Sequence, residues 1–192
     1  MKHMGKHLVG ALLAAVASAT VAGAQDFTYS TLFSCTGTAG TYQTAVTCDF
    51  GSNVLTFTGQ AITSLTAPTN LDFGTVLATG AVTYSGQNVS MMVLQTVPTV
   101  GQAATLGTLN GTVVSNTQSG ASIVWGAPVL NIGPMRYAIE NATPINAPSA
   151  GTNTIRGVAA NTAVPEPATV ALMATGLVGL GGIARRRRAL TA

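Results

Sequence analysis

Acid–base chemistry in this 192-residue chain would have to come from carboxylates. Both histidines, His3 and His7, lie at the extreme N-terminus, and no lysine follows Lys6. That excludes Ser–His–Asp and Cys–His catalysis, histidine metal sites, Schiff-base chemistry and a Ser–Lys dyad from the body of the chain. The candidates left there are Asp26, Asp49, Asp72 and Glu140. A glycosidase needs two carboxyl groups facing each other across a cleft, and nothing in the spacing of these four brings a pair together. Asp72 with Asn70, or Asp49 with Asn53, places loop oxygens near one another, but neither follows a calcium-loop motif. Turn formation is the ordinary use of such residues. No phosphate-cradling or dinucleotide fingerprint occurs. The sequence therefore implies no catalytic residue, no metal site and no cofactor.

Binding chemistry has more candidates. Trp125 and the tyrosines Tyr29, Tyr42, Tyr84 and Tyr137 have the flat faces that stack on sugar rings. Trp125 sits in the apolar run SIVWG, however, where core packing is the simpler expectation. Arg136 and Glu140 are four apart, so on a strand both would point to one face. The net charge of +3 belongs to the ends. Between Gln25 and Pro165, two arginines (Arg136, Arg156) stand against four carboxylates, a net charge of −2. Nucleic-acid binding needs basic residues clustered on the folded surface, so nucleic acid is not an expected partner.

The elements that must position these residues read as strands. Charged residues make up only 7% of the chain, far below the roughly 25% usual for soluble domains. Thr- and Val-rich alternating runs recur between Gly, Asn and Pro breaks, and no sustained helical period occurs between Gln25 and Val164. The expectation is an all-β fold: an antiparallel β-sandwich, jelly-roll-like, of eight to ten strands. Its core should draw on Phe33, Phe50, Leu55, Phe57, Ile62, Leu65, Leu77, Val82, Met92, Leu94, Leu106, Val113, Ile123, Trp125 and Tyr137. Cys35 and Cys48 lie in two β-like runs joined by a Gly/Thr-rich turn, and a disulfide there would pin the first hairpin. From Asn141 the segment NATPINAPSAGTNT reads as loop, and NTIRGVA as a last strand.

The two ends differ from the body. Lys2 and Lys6, a short apolar run over residues 8–21 and the small-x-small triplet before Gln25 make residues 1–24 a signal peptide, with signal peptidase cutting between Ala24 and Gln25. Residues 25–160 would then be the exported domain. Residues 161–192 contain Pro165, Glu166 and Pro167, and the stretch ANTAVPEP is the spacer between the domain and the apolar run, expected to hold the cleavage point clear of folded structure. Residues 168–184 are uncharged and as a helix would reach about 26 Å, close to a thin hydrocarbon core of about 30 Å. Arg185, Arg186, Arg187 and Arg188 then form a cytoplasmic stop-transfer cluster.

This ordered trio of proline–glutamate–proline motif, apolar span and arginine cluster resembles the PEP-CTERM sorting signal of Gram-negative bacteria. The resemblance covers only the last 28 or so residues. It implies export through the inner membrane, transient residence there, and cleavage near the motif by an exosortase. It also implies a final place at the cell surface or in the extracellular matrix. The expected role is that of a non-enzymatic, biofilm- or exopolysaccharide-associated surface protein. The rival expectations are a carbohydrate-binding module that retains exopolysaccharide and, third, a small secreted glycosidase.

Overall fold

The computed structural model describes residues 24–35, 40–51 and 54–162, together with Gly176. The signal segment before Ala24, the motif Pro165–Pro167, the apolar run 168–184 and the arginines at 185–188 lie outside the described residues, Gly176 excepted. Among the described residues no helix is long and apolar enough to cross a membrane.

The body is all-β, in two antiparallel sheets. The strands are β1 (Gln25–Ser34), β2 (Ala45–Asp49), β3 (Val54–Gly59), β4 (Thr63–Ala67), β5 (Thr69–Ala78), β6 (Val82–Val97) and β7 (Gly101–Ser115). They continue with β8 (Gln118–Ser119), β9 (Ala121–Trp125), β10 (Val129–Ile132), β11 (Met135–Ile139), β12 (Ala142–Ile145) and β13 (Asn153–Asn161). One sheet runs β12-β9-β7-β6-β1-β4, with β8 paired to β7; the other runs β10-β11-β13-β5-β3-β2. The expected eight to ten strands are thus thirteen among the described residues. The order also departs from a jelly roll of eight strands in two Greek keys, because β2–β3, β6–β7 and β10–β11 are simple hairpins within one sheet.

Alternation explains each strand. In β1, Phe27, Tyr29, Thr31 and Phe33 point inward while the residues between them face out. Inward side chains from both sheets form one hydrophobic cluster, with Trp125, Tyr137, Phe27, Phe33, Phe57 and Phe73 among the largest fully buried. Phe33 stacks on Phe57 at 5.3 Å between ring centres, and Tyr137 meets Phe27 edge-on at 5.9 Å. Gly107 leaves room for Trp125: a Cβ there would lie 2.8 Å from the indole Cζ3.

Several expected core residues face the other way, and bulges are the cause. In β6, Tyr84 is buried, but beyond the bulge at Ser85/Gln87 the buried set is Val89, Met91, Val93 and Gln95. The skipped residue, Gly86, has φ +78°. One extra residue reverses the parity of everything after it, so Met92 and Leu94 lie outside the core set. In β5 the glycine at 74, with φ +130°, sits at a register shift against β13. Leu71 and Phe73 precede it, Val76 and Ala78 follow, and Leu77 turns away. Ile62 is 76% exposed in the β3–β4 connection, and Leu106 faces outward. The segment after Asn141 is likewise not all loop. Ala142–Ile145 pairs with β9 as an edge strand; an edge tolerates Pro144 because one side of the strand needs no donor.

Cys35 and Cys48 are disulfide-bonded, with 5.3 Å between their Cα atoms. The bridge ties the end of β1 in one sheet to β2 in the other, so it crosslinks the sheets rather than pinning a hairpin.

Candidate functional site

Trp125 is packed inside, and its Nε1 donates to Thr143 Oγ1 at 3.0 Å. Tyr29, Tyr84 and Tyr137 are buried too, while Tyr42 is half-buried. Sugar stacking on an exposed Trp125 or on these three tyrosines is therefore excluded by their position. Tyr137 donates to Gln95 Oε1 at 2.6 Å, and Gln95 Nε2 in turn donates to the carbonyls of Thr99 and Ile132 at 2.8 and 3.3 Å. Tyr29 donates to the Asp72 carbonyl at 2.9 Å. The Tyr84 hydroxyl is buried with no hydrogen-bond partner among the described residues. Burial pushes Tyr84 up to about 12; burial first and Asp72 second push Tyr29 up to about 12. Burial, then Tyr29 beside it, also raise Tyr137. These phenols are neutral anchors of the core.

The carboxylates divide into two kinds. Asp26 accepts from Thr66 Oγ1 at 2.6 Å across β1 and β4. Asp49 accepts from the Gly51 N–H at 3.0 Å and makes a turn. The calcium partner considered for it, Asn53, lies outside the described residues. Among the described residues no three His, Cys, Asp or Glu side chains come together in a metal-holding group.

Asp72 and Glu140, by contrast, are brought together, against the expectation from their spacing. Arg156 in β13 pairs directly with Asp72 in β5. On its other side, the Glu140 N–H donates to the Arg156 carbonyl at 2.9 Å. By backbone register the three exposed residues stand in one row across the outer face of the second sheet. They line a surface hollow of about 560 Å³ with Asn70, Gly157 and Val158. Arg136 faces outward on β11, and Glu140, exposed, follows directly after that strand. The outer face of β11, β13 and β5 thus gathers four of the six charged residues of the body. Such a row offers paired donors and acceptors to a hydroxyl-rich ligand. No single motif in the sequence announces it, because only the pairing of β13 with its neighbours sets Asp72 and Glu140 on either side of Arg156.

The sorting end is also more compact than the sequence implied. β13 continues through Ala160 and Asn161, which pair with Arg136 and Met135. Thr162 donates through N–H and Oγ1 to the Pro134 carbonyl at 2.7 and 3.0 Å. The first three residues of the ANTAVPEP spacer, Ala160 to Thr162, are therefore part of the folded body. At the other end, Ala24 is exposed and Gln25 is already the first residue of β1, paired with Ala67.

No curated protein and no solved structure matches the chain. One family model does, the PEP-CTERM protein-sorting motif, over residues 163–188, beginning just past the last described residue of the β body. The C-terminal end of the chain thus carries a PEP-CTERM protein-sorting motif, which supports exosortase-associated sorting of a secreted protein.

Proposed function

We propose that the β body is a non-enzymatic structural or adhesive component of the cell surface or extracellular matrix, associated with exopolysaccharide. Residues 168–184 hold it briefly in the inner membrane, Arg185 to Arg188 stop transfer, and the exosortase cuts near Pro165–Pro167. The observation that carries this reading is the sorting motif on a body whose outer surface is mostly uncharged and rich in hydroxyls. Thr28 and Ser64, Thr83 and Thr112, and Thr47 and Thr56 pair across strands at 2.9, 3.1 and 3.5 Å on exposed faces. Such a face hydrates well and meets a polysaccharide without charge repulsion.

The test is intact-mass measurement of the extracellular protein. The expected mass begins at Gln25 and lacks Arg185 to Arg188; a mass that retains the arginines would sink the sorting-and-release reading. The Asp72–Arg156–Glu140 row supports a second reading, a polysaccharide-binding module. Loss of pull-down by the native exopolysaccharide on Arg156→Ala, with unfolding unchanged, favours that module over a purely structural body. Glycoside turnover abolished by Asp72→Asn or Glu140→Gln would overturn both.

A further inference from the structure

Five features meet at one end of the body. Gln25, where β1 begins, pairs with Ala67 at the end of β4. Two residues on, past Pro68, Thr69 pairs with Ala159 near the end of β13. The β6–β7 tip is joined to the same end, since Thr28 pairs with Val97 and Gln95 Nε2 donates to the carbonyls of Thr99 and Ile132. The Gly133–Pro134 turn lies against Thr99, and Thr162 is bonded to Pro134. Both the leader and the sorting tail therefore leave from this end, whereas the Cys35–Cys48 bridge and the β7–β8 turn lie at the other.

This end is uncharged at its tip. No charged residue or histidine occurs between Asp72 and Arg136. Val100 is 80% exposed and Val97 43% exposed, with Pro98 and Thr99 exposed between them. Asp26 and Arg136 stand beside this end at exposed positions of β1 and β11.

Chain length then limits the orientation. From Thr162 to Ala168, the first residue of the apolar run, the chain spans at most about 20 Å. The headgroup layer takes up about 6 Å of that reach. A body of this size has a radius of gyration of about 14 Å, so the free tether is much shorter than the body is wide. A tether this short keeps the attached end nearer the lipid than the far end. We propose that, while the tail is in the membrane, this end is a membrane-apposed surface, with the Val97–Val100 tip seated in the headgroup boundary of the bilayer. The proposal rests on the reading of residues 168–184 as a membrane segment. The tether supplies most of the association by effective concentration; the two valines add an apolar contact that an uncharged tip makes at little desolvation cost. The same closeness presents the motif to a membrane-embedded protease from this end of the body.

The test uses the full chain, tail intact, in phosphatidylcholine vesicles brominated near the top of the acyl chains. Val100→Trp reports the tip and Gln118→Trp, on exposed β8, reports the far end; buried Trp125 supplies a constant background. Val97→Trp repeats the measurement should Val100→Trp fold poorly. The expected result is emission from the tip variants blue-shifted and quenched about twofold or more beyond Gln118→Trp. Equal quenching in protein that floats with the vesicles overturns the membrane contact and leaves the tail reading standing. Protein that does not float overturns the tail reading and this proposal with it. A blue shift without quenching, appearing only when exosortase is added, assigns the end to a protein surface and overturns the lipid contact.

Discussion

The buried tyrosines give the residue scale its sharpest contrasts. Tyr137 is locked to Gln95, whose amide is spent on two carbonyls, so Tyr137→Phe leaves a buried Gln95 oxygen without its donor. The expected loss is about 1–3 kcal/mol. The Tyr84 hydroxyl has no partner among the described residues to lose, so Tyr84→Phe is expected to be neutral or stabilising. Urea unfolding of the two variants against the parent checks both. The same phenols set an alkaline limit. Their folded values are raised above the ordinary 10.0, so between pH 10 and about 12 the unfolded chain binds fewer protons than the folded one. Stability from these groups is full below pH 10 and declines as pH rises toward 12. Circular dichroism should show unfolding beginning only above pH 10, with the phenolate absorbance of these residues appearing alongside it. Gln95 drew no attention in the sequence, and its three bonds could not be read there, since they reach Thr99, Ile132 and Tyr137 at separate places in the chain.

The strands show where local pattern stops being enough. Phe33, Leu55, Phe57, Val113, Ile123, Trp125 and Tyr137 were legible as core because their runs alternate without interruption. Met92, Leu94 and Leu77 follow bulges, and the inserted residue that flips the register is decided by pairing with a neighbouring strand. The Cys35–Cys48 bridge is an element-scale constraint of the same sort. Two lone cysteines at a separation of 13 made the pairing plain, but not that it joins the two sheets. Closing a loop of this length contributes about 3 kcal/mol. Reduction, or Cys35→Ser with Cys48→Ser, should lower the unfolding free energy by about that amount, measured by urea titration with and without reductant. A loss well below 1 kcal/mol would show that the unfolded chain is little constrained there.

For the whole molecule, the decisive fact is that both chain ends leave from one end of the body, with little free chain before the sorting motif. A Gly/Ser spacer inserted after Thr162, longer than the present reach of about 20 Å, frees the body to rotate. The quenching difference between Val100→Trp and Gln118→Trp is then expected to shrink, in the same vesicle measurement. An unchanged difference would mean that the tip holds the lipid by itself, without help from the tether.

The sequence by itself determined the address, the strand content, the cysteine pair and the absence of histidine and lysine from the body. These depend on residue type and on spacing within one short segment, which the chain carries wherever it folds. Only the tertiary structure decided that the aromatics are buried, that Asp72 and Glu140 flank Arg156, and that the presumed spacer is folded through Thr162. Each of those depends on which strands become neighbours and in what register. That choice is made by burying one shared core across residues far apart in the chain, and no single stretch of sequence contains it.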